Sequence, residues 1–421
     1  MPNNLIIHGG RPLAGEVQIQ GSKNTALPLI AACLLTEESC VLENVPEISD
    51  VATMAEIARG TGAIVEWDKP AKRLLIQAKS LGGSALNAAL ARKLRASILF
   101  SGALLGRLRE ARLPYPGGDA IGSRPLSTHL RALEALGVRV REDEKEIALD
   151  GRALAGAEIT LEEPSVTATE NAILAAVVAP GKTAMRLAAF EPHVQELVKF
   201  LARMGAKIRW TDAFTLAIEG VERLGGGSHR INPDELEISG FTALAAATHS
   251  TLTIRPVEPA YCTAVFLQLK KMGVTYEMAD GTLAIGKPSS AYHAFRIQSG
   301  LYPKLGSDHL PPFAVLATQA EGASLVHDWM YDGRLRYLAE LEKMGARVTL
   351  LDPHRALIHG PTPLFGSELD GLDIRSGMTL VIAGLVAHGR TAIIGVEHLD
   401  RGYEKLEERL RAIGADIKRV V

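Results

Sequence analysis

Residues 201–210 read LARMGAKIRW. Leu201 and Met204 lie three apart, on one face of a helix; Gly205 interrupts; Ile208 and Trp210 then alternate with Lys207 and Arg209. The apolar period changes from helical to strand-like across a single glycine. A helix that ends there leaves through a left-handed residue, which glycine adopts without steric cost. The phrase therefore reads as helix, stop, strand.

The same phrase returns five more times: IARGTGAIVEW around Gly62, LEALGVRV around Gly137, LKKMGVTYE around Gly273, LEKMGARVTL around Gly345 and LRAIGADIKRV around Gly414. Successive glycines are separated by 75, 68, 68, 72 and 69 residues. An even spacing over six places is more than the chance recurrence of a common cap, and Lys or Arg ahead of several of the glycines suits the negative end of a helix. Further β-branched runs, such as TLTIRPV and ALIHG, lie between the helices, so each unit is a βα module longer than a solenoid repeat. Six modules in 421 residues predict an α/β (α+β) protein of two domains, each with three repeated units.

Composition narrows the function. The chain is 47 % hydrophobic, enough for sizeable cores, and its 46 Lys and Arg against 48 Asp and Glu leave a formal charge of -2. Neither nucleic acid nor an anionic membrane is expected as a partner. Cys33, Cys40 and Cys262 are few and lack metal-ligand spacing, so neither a disulfide framework nor a zinc site is expected. No Walker loop, Rossmann fingerprint or HExxH is present, and no metal or cofactor is expected. The opening MPNNLIIHGG does not read as a signal peptide, and apolar runs such as residues 26–35 are too short to span a bilayer. These features lead us to expect a cytoplasmic protein, monomeric or weakly homo-oligomeric.

Several stretches carry chemistry. GSKNTALPLI places Lys23 and Asn24 at the start of an apolar helix with Ser22 as its cap, and RKLRASILFSGALLGR opens another with Arg95. PYPGGDAIGSR delivers Asp119 and Arg124 from a proline and glycine loop; by composition alone it is a turn. SRPLSTH carries His129, TATENAILAAVVAPG carries Glu170, and AAFEPHVQELVKFL carries Glu191 and His193. Each has a plain structural reading: a packed imidazole, or a carboxylate suited to a helix start. GLYPKLGSDHLPPF ends with Asp308, DGRLRYL holds Arg334, LDIRSGMTLVIAG holds Arg375, and HLDRGYEKLEERL holds Asp400 and Arg401. Taken singly, a surface lysine or a snorkelling arginine explains each cation. Taken together, Lys23, Arg95, Arg124, Arg334, Arg375 and Arg401 repeatedly stand at helix starts, where the dipole disfavours a cation unless an anion is bound. With Asp119 and Asp308 as loop carboxylates, they point to an anionic, phosphorylated substrate held between two domains, with acid and base groups at hand.

The segments GSKNTALPLIAACLLTEE, RASILFSGALLGR, PGGDAIGSRPLSTHLRALEALG, the EP of AAFEP, GSHRINPDELE, SDHLPPF and HLDRGYEKLEERLRAIGA together resemble the enolpyruvyl transferase family over nearly the whole chain. The resemblance implies two domains, each an inside-out α/β barrel of three repeats. The first spans residues 22–230, and the second joins residues 1–21 to 231–421. It also implies transfer of the enolpyruvyl group of phosphoenolpyruvate to a hydroxyl of a UDP-sugar, UDP-N-acetylglucosamine, with release of phosphate, in peptidoglycan synthesis. On this resemblance Lys23, Asn24, Arg124 and Arg401 hold phosphoenolpyruvate, with Lys23 and Arg401 also counted as catalytic. Asn24, Arg95, Arg124, Pro125, Leu126, Ser127, Asp308 and Met330 place the nucleotide sugar. Asp308 takes the proton of the acceptor hydroxyl, Asp119 donates or relays a proton, and Arg334 and Arg375 are further active-site arginines.

The chain departs from the family pattern at several places. Asp119 stands where most members carry a cysteine, the residue that the epoxide fosfomycin alkylates, so resistance to fosfomycin is implied. Ser127 replaces a usual Asp and Glu163 a usual Lys near the nucleotide, a Gln after the Asp308 motif is missing, and DGR replaces ENR. Two alternatives stay open on this evidence: an enolpyruvyl transferase acting on a different hydroxyl acceptor, and a catalytically silent relative that binds phosphate or nucleotide.

Overall fold

A computed structural model describes residues 3–117 and 125–420. The chain divides into two compact units: residues 21–117 and 125–232 form one, and residues 3–20 with 233–420 form the other.

All six repeat glycines have positive φ, between 78° and 101°. They close the helices Ser49–Gly60, Ser127–Ala135, Pro192–Arg203, Thr263–Met272, Tyr337–Lys343 and Leu406–Ala412. They open the strands Ile64–Asp68, Arg139–Glu142, Lys207–Asp212, Tyr276–Ala279, Arg347–Asp352 and Asp416–Val420. Helix, stop, strand therefore holds at every place where the sequence shows it.

Each repeat builds one sheet. In five of the six, three antiparallel strands are completed by a fourth running parallel to its neighbour. In the sheet of Glu110–Pro114, Glu146–Asp150 and Arg139–Glu142, a single parallel bridge from Ala85 to Arg112 stands in that place. Strand pairings between distant segments also close each unit on itself. Ser228–Arg230 pairs with Ser39–Glu43 at the start of the same unit. In the other unit Ala14–Gln18 pairs with Thr251–Arg255, and Asn4–His8 lies between Arg390–Ile394 and Asp416–Val420. These pairings are why the N-terminal segment belongs with the C-terminal half.

The centre of each unit is helical. Glu235–Ala247, Leu310–Thr318 and Ile374–Val386 pack on one another, and nearly every residue in them is buried. Lys23–Ala32, Leu99–Leu108 and Val166–Ala176 are the largely buried helices of the other unit. A helix that is apolar all round must be enclosed. The sheets and the amphipathic glycine-capped helices enclose it, giving helices inside and strands outside. In three of these helices charged residues gather at the N-terminal ends, which are capped by Ser22, Asp234 and Asp373. Partial positive charge gathers at those ends. Among the described residues no helix is long and apolar enough to cross a membrane, and no cluster of side chains could hold a metal ion.

Candidate active site

In the unit that includes residues 233–420, Asp308 lies in the short turn Ser307–His309 that leads into the central helix Leu310–Thr318. Two arginines from different elements converge on it. Arg334 donates from Nη2 to Asp308 Oδ1, and Arg375 donates from Nε to Oδ2 at 3.2 Å. Arg334 also reaches Asp373 at 3.4 Å, and Asp373 caps its own helix by accepting from the amides of Arg375 and Ser376 at 3.0 and 3.2 Å. Arg375 donates from Nη1 to the Tyr403 hydroxyl at 3.2 Å, and its guanidinium lies 5.6 Å from that ring centre. Both arginines are buried, while 36 % of the Asp308 side chain remains exposed. Burial alone would raise the Asp308 carboxyl, but Arg334 and Arg375 outweigh it and hold the group well below the usual carboxylate range. Burial pushes the Tyr403 phenol up to about 12, against the pull of Arg375, so it stays a neutral hydroxyl.

Glu235, the first residue of the Glu235–Ala247 helix, lies nearby in the electrostatic sense. Burial, then Asp234, pushes its carboxyl up to about 8, while Arg375 pulls it back. Its Oε2 has no hydrogen-bond partner among the described residues. Arg401 ends the turn Val396–Arg401, half-buried, and the adjacent Asp400 is taken up by Arg419 at 2.7 and 2.8 Å. Met330 is half-buried, its amide donating to Asp328 at 3.3 Å.

In the other unit Lys23 begins its central helix, capped by Ser22, and its Nζ lies 2.8 Å from Asp50 Oδ2 with both side chains buried. Asn24 beside it is half-buried. Arg95 donates from Nη2 to the Pro125 carbonyl at 3.0 Å, tying the entry of its helix to the segment that leads into Ser127–Ala135. Pro125 is exposed, and Leu126 and Ser127 are half-buried. Asp119 and Arg124 lie outside the described residues. His129 is packed as its plain reading expects: it meets Thr167 at 3.1 Å and Asn171 at 3.5 Å, and burial, then Arg95, lowers it to about 3. Glu170 is enclosed, and burial together with Glu191 raises its carboxyl well above the usual range.

The cations singled out in the sequence are thus not all waiting for a foreign anion, which corrects that reading. Asp50 serves Lys23, and Asp308 and Asp373 serve Arg334 and Arg375.

Residues 7–410 match the EPSP synthase (3-phosphoshikimate 1-carboxyvinyltransferase) family. This chain belongs to the EPSP synthase family. Within it, the chain is 43 % identical to the UDP-N-acetylglucosamine 1-carboxyvinyltransferase of Bradyrhizobium diazoefficiens, covering 100 % of this chain and 98 % of the relative. It is 44 % identical to the protein of the same name from Treponema denticola, covering 99 % of each. Among solved structures, the enolpyruvyl transferase NikO from Streptomyces tendae superposes with a TM-score of 0.91 at 25 % identity, over 100 % of this chain and 99 % of that one. EPSP synthase from Acinetobacter baumannii shares the fold, with a TM-score of 0.75 at 20 % identity over the whole of both chains.

For this member of the EPSP synthase family, reasoning from residue types missed Asp50, Asp373, Tyr403 and Glu235. Asp373 carried a signal, since LDIRS is an Asp cap followed by a helical run. Asp50 and Tyr403 carried none, because their partners, Lys23 and Arg375, are 27 and 28 residues away.

Proposed function

We infer that this chain transfers the enolpyruvyl group of phosphoenolpyruvate to the 3-hydroxyl of UDP-N-acetylglucosamine and releases phosphate, the first committed step of peptidoglycan synthesis. One observation carries the reading: a chain 43 % identical end to end to a UDP-N-acetylglucosamine 1-carboxyvinyltransferase has a carboxylate held between two buried arginines at the head of a central helix.

The chemistry needs three things. An acid protonates the methylene carbon of phosphoenolpyruvate, the acceptor hydroxyl attacks the carbon made cationic, and loss of a methyl proton then expels phosphate from the tetrahedral ketal. Phosphate and carboxylate charge must be held throughout. In our reading Lys23, Asn24, Arg124 and Arg401 hold phosphoenolpyruvate, and Arg95, Pro125, Leu126, Ser127 and Met330 place the nucleotide sugar. Asp119 exchanges the proton with the methylene carbon.

Asp308 receives the hydroxyl proton. In the free chain it is too well satisfied to be a strong base, since Arg334 and Arg375 stabilise its charge. An anionic substrate that draws those guanidiniums toward itself raises the affinity of the carboxylate for a proton when the hydroxyl must give one up. The counter-ions are thus a resting state that substrate exchanges for its own charge.

The test is phosphate release from phosphoenolpyruvate with UDP-N-acetylglucosamine as acceptor, matched by one enolpyruvyl ether per phosphate. Release with a different hydroxyl acceptor and none with this sugar would change the acceptor. No release with any acceptor would leave a binding protein.

A further inference from the structure

Glu237 and Arg409 form a two-pronged ion pair across 172 residues of sequence. Arg409 donates from Nη1 to Oε1 at 2.7 Å and from Nη2 to Oε2 at 2.8 Å. Only 2 % of the Glu237 side chain and 13 % of that of Arg409 is exposed. Further contacts surround the pair: Glu237 accepts from the Gln20 backbone amide at 3.1 Å, and Arg409 donates to the carbonyls of Gln18 at 2.8 Å and Glu404 at 3.4 Å. The guanidinium also lies 4.9 Å from the Phe241 ring centre.

A buried pair of this kind adds little net stability over well-packed apolar side chains, because desolvation offsets its attraction. What it supplies is geometry. Glu237 is in the first turn of the helix capped by Asp234, and Arg409 is on the helix that follows residues 401–405. That short segment is held at two points: Arg375 grips the Tyr403 hydroxyl, and Arg409 grips the Glu404 carbonyl. Lys405, next along, has φ of 46°, a left-handed conformation that a lysine keeps only under constraint. The segment begins with Arg401.

We propose that the Glu237–Arg409 pair is a positioning device that sets where Arg401 stands relative to the Asp308 and Arg375 cluster, and so governs the hold on the phosphate of phosphoenolpyruvate. The proposal rests on the reading that Arg401 binds that substrate. Neither residue of the pair acts on substrate itself.

Two variants test it. Arg409→Lys keeps the charge and loses the fork; the double variant Glu237→Met with Arg409→Met removes both charges and leaves neither stranded. The measurements are the melting temperature, the affinity for UDP-N-acetylglucosamine, the affinity for inorganic phosphate, and kcat and KM for phosphoenolpyruvate. We expect the double variant to melt within a few degrees of the parent and to bind the nucleotide sugar within about twofold. We expect both variants to lose about ten- to a hundredfold in kcat/KM for phosphoenolpyruvate and to bind phosphate more weakly, as misplacement of a positioning group does. A folded double variant, or a folded Arg409→Lys, with parental kcat/KM and phosphate affinity overturns the proposal. Phosphate affinity is read without turnover, so a chain that binds phosphate but never releases it from phosphoenolpyruvate refutes the assigned reaction while still deciding the role of the pair.

Discussion

Arg375 grips Asp308 and Tyr403 at once, at 3.2 Å to the carboxylate and 3.2 Å to the phenol oxygen. The same guanidinium therefore stabilises the charge on Asp308 and anchors the segment that begins at Arg401. Asp308→Asn keeps the shape and removes the charge, so we expect turnover to fall at least about a hundredfold while affinity for UDP-N-acetylglucosamine changes a few-fold. Asp308→Ala should show the same loss and in addition cost about 1–3 kcal/mol, since Arg334 and Arg375 lose a shared acceptor. Single-turnover phosphate release and denaturant melts measure the two effects separately. Unchanged turnover in a folded Asn variant removes Asp308 from the mechanism.

Glu235 gives the fold a pH dependence opposite to that of an ordinary ion-paired carboxylate. Burial and Asp234 raise its folded pKa to about 8, against Arg375; Asp308 and the Cys262 thiol also lie within its field. Between the unfolded value of about 4.3 and the folded one, the native state keeps a proton that the unfolded chain gives up. The stability this group contributes is therefore complete below the unfolded pKa and is lost as pH rises through the folded one. Glu235→Gln should escape that loss, so its melting temperature should gain on the parent between pH 5 and pH 8, on a scale of about 1.4 kcal/mol for each tenfold difference in proton affinity between the folded and unfolded chains. Parallel curves for the two proteins would mean that Glu235 ionises like an exposed carboxylate.

The repeat glycines should separate by surroundings. Gly205 has φ of 97° and open space where a Cβ would point, so Gly205→Ala should cost only the left-handed strain, about 1–2 kcal/mol. Gly137 has φ of 87°, and a Cβ there would stand 2.4 Å from the Ala153 carbonyl oxygen. Gly137→Ala should be clearly the more destabilising of the two in urea melts, with kcat of the folded fraction unchanged in both. Equal losses would show that strain, not crowding, sets the cost.

The architecture was legible because its signal is local: a change of apolar period across one glycine needs ten residues to read, and LARMGAKIRW contains all of them. The closure of Ser228–Arg230 onto Ser39–Glu43 was not, because pairing across such a separation leaves no mark on either strand. The candidate site could be read as single residues and not as a set. Asp308, Arg334 and Arg375 each stand out, yet that two of them neutralise the third follows only from the fold. Glu235 disappears into PDELE, where Asp234 and Glu237 satisfy helix-start preferences and the residue between them reads as more of the same.

Asp119 lends itself to a chemical test that does not depend on knowing its contacts. A free Asp, with a reference pKa of about 3.9, is ionised at neutral pH and can act as an acid only if its surroundings raise that value, which an approaching anionic substrate does and neighbouring cations oppose. As a nucleophile it is poor: a carboxylate attacks an epoxide far more slowly than a thiolate. The parent protein should therefore survive fosfomycin, and Asp119→Cys should be inactivated in a time-dependent way with a single covalent adduct visible by mass spectrometry. The thiol can still carry a proton, so that variant should retain turnover before fosfomycin is added. Asp119→Asn can neither give nor take the proton and should lose turnover by at least about a hundredfold. An active Asn variant, or a parent protein alkylated as fast as the Cys variant, would make Asp119 a turn residue in a proline and glycine loop.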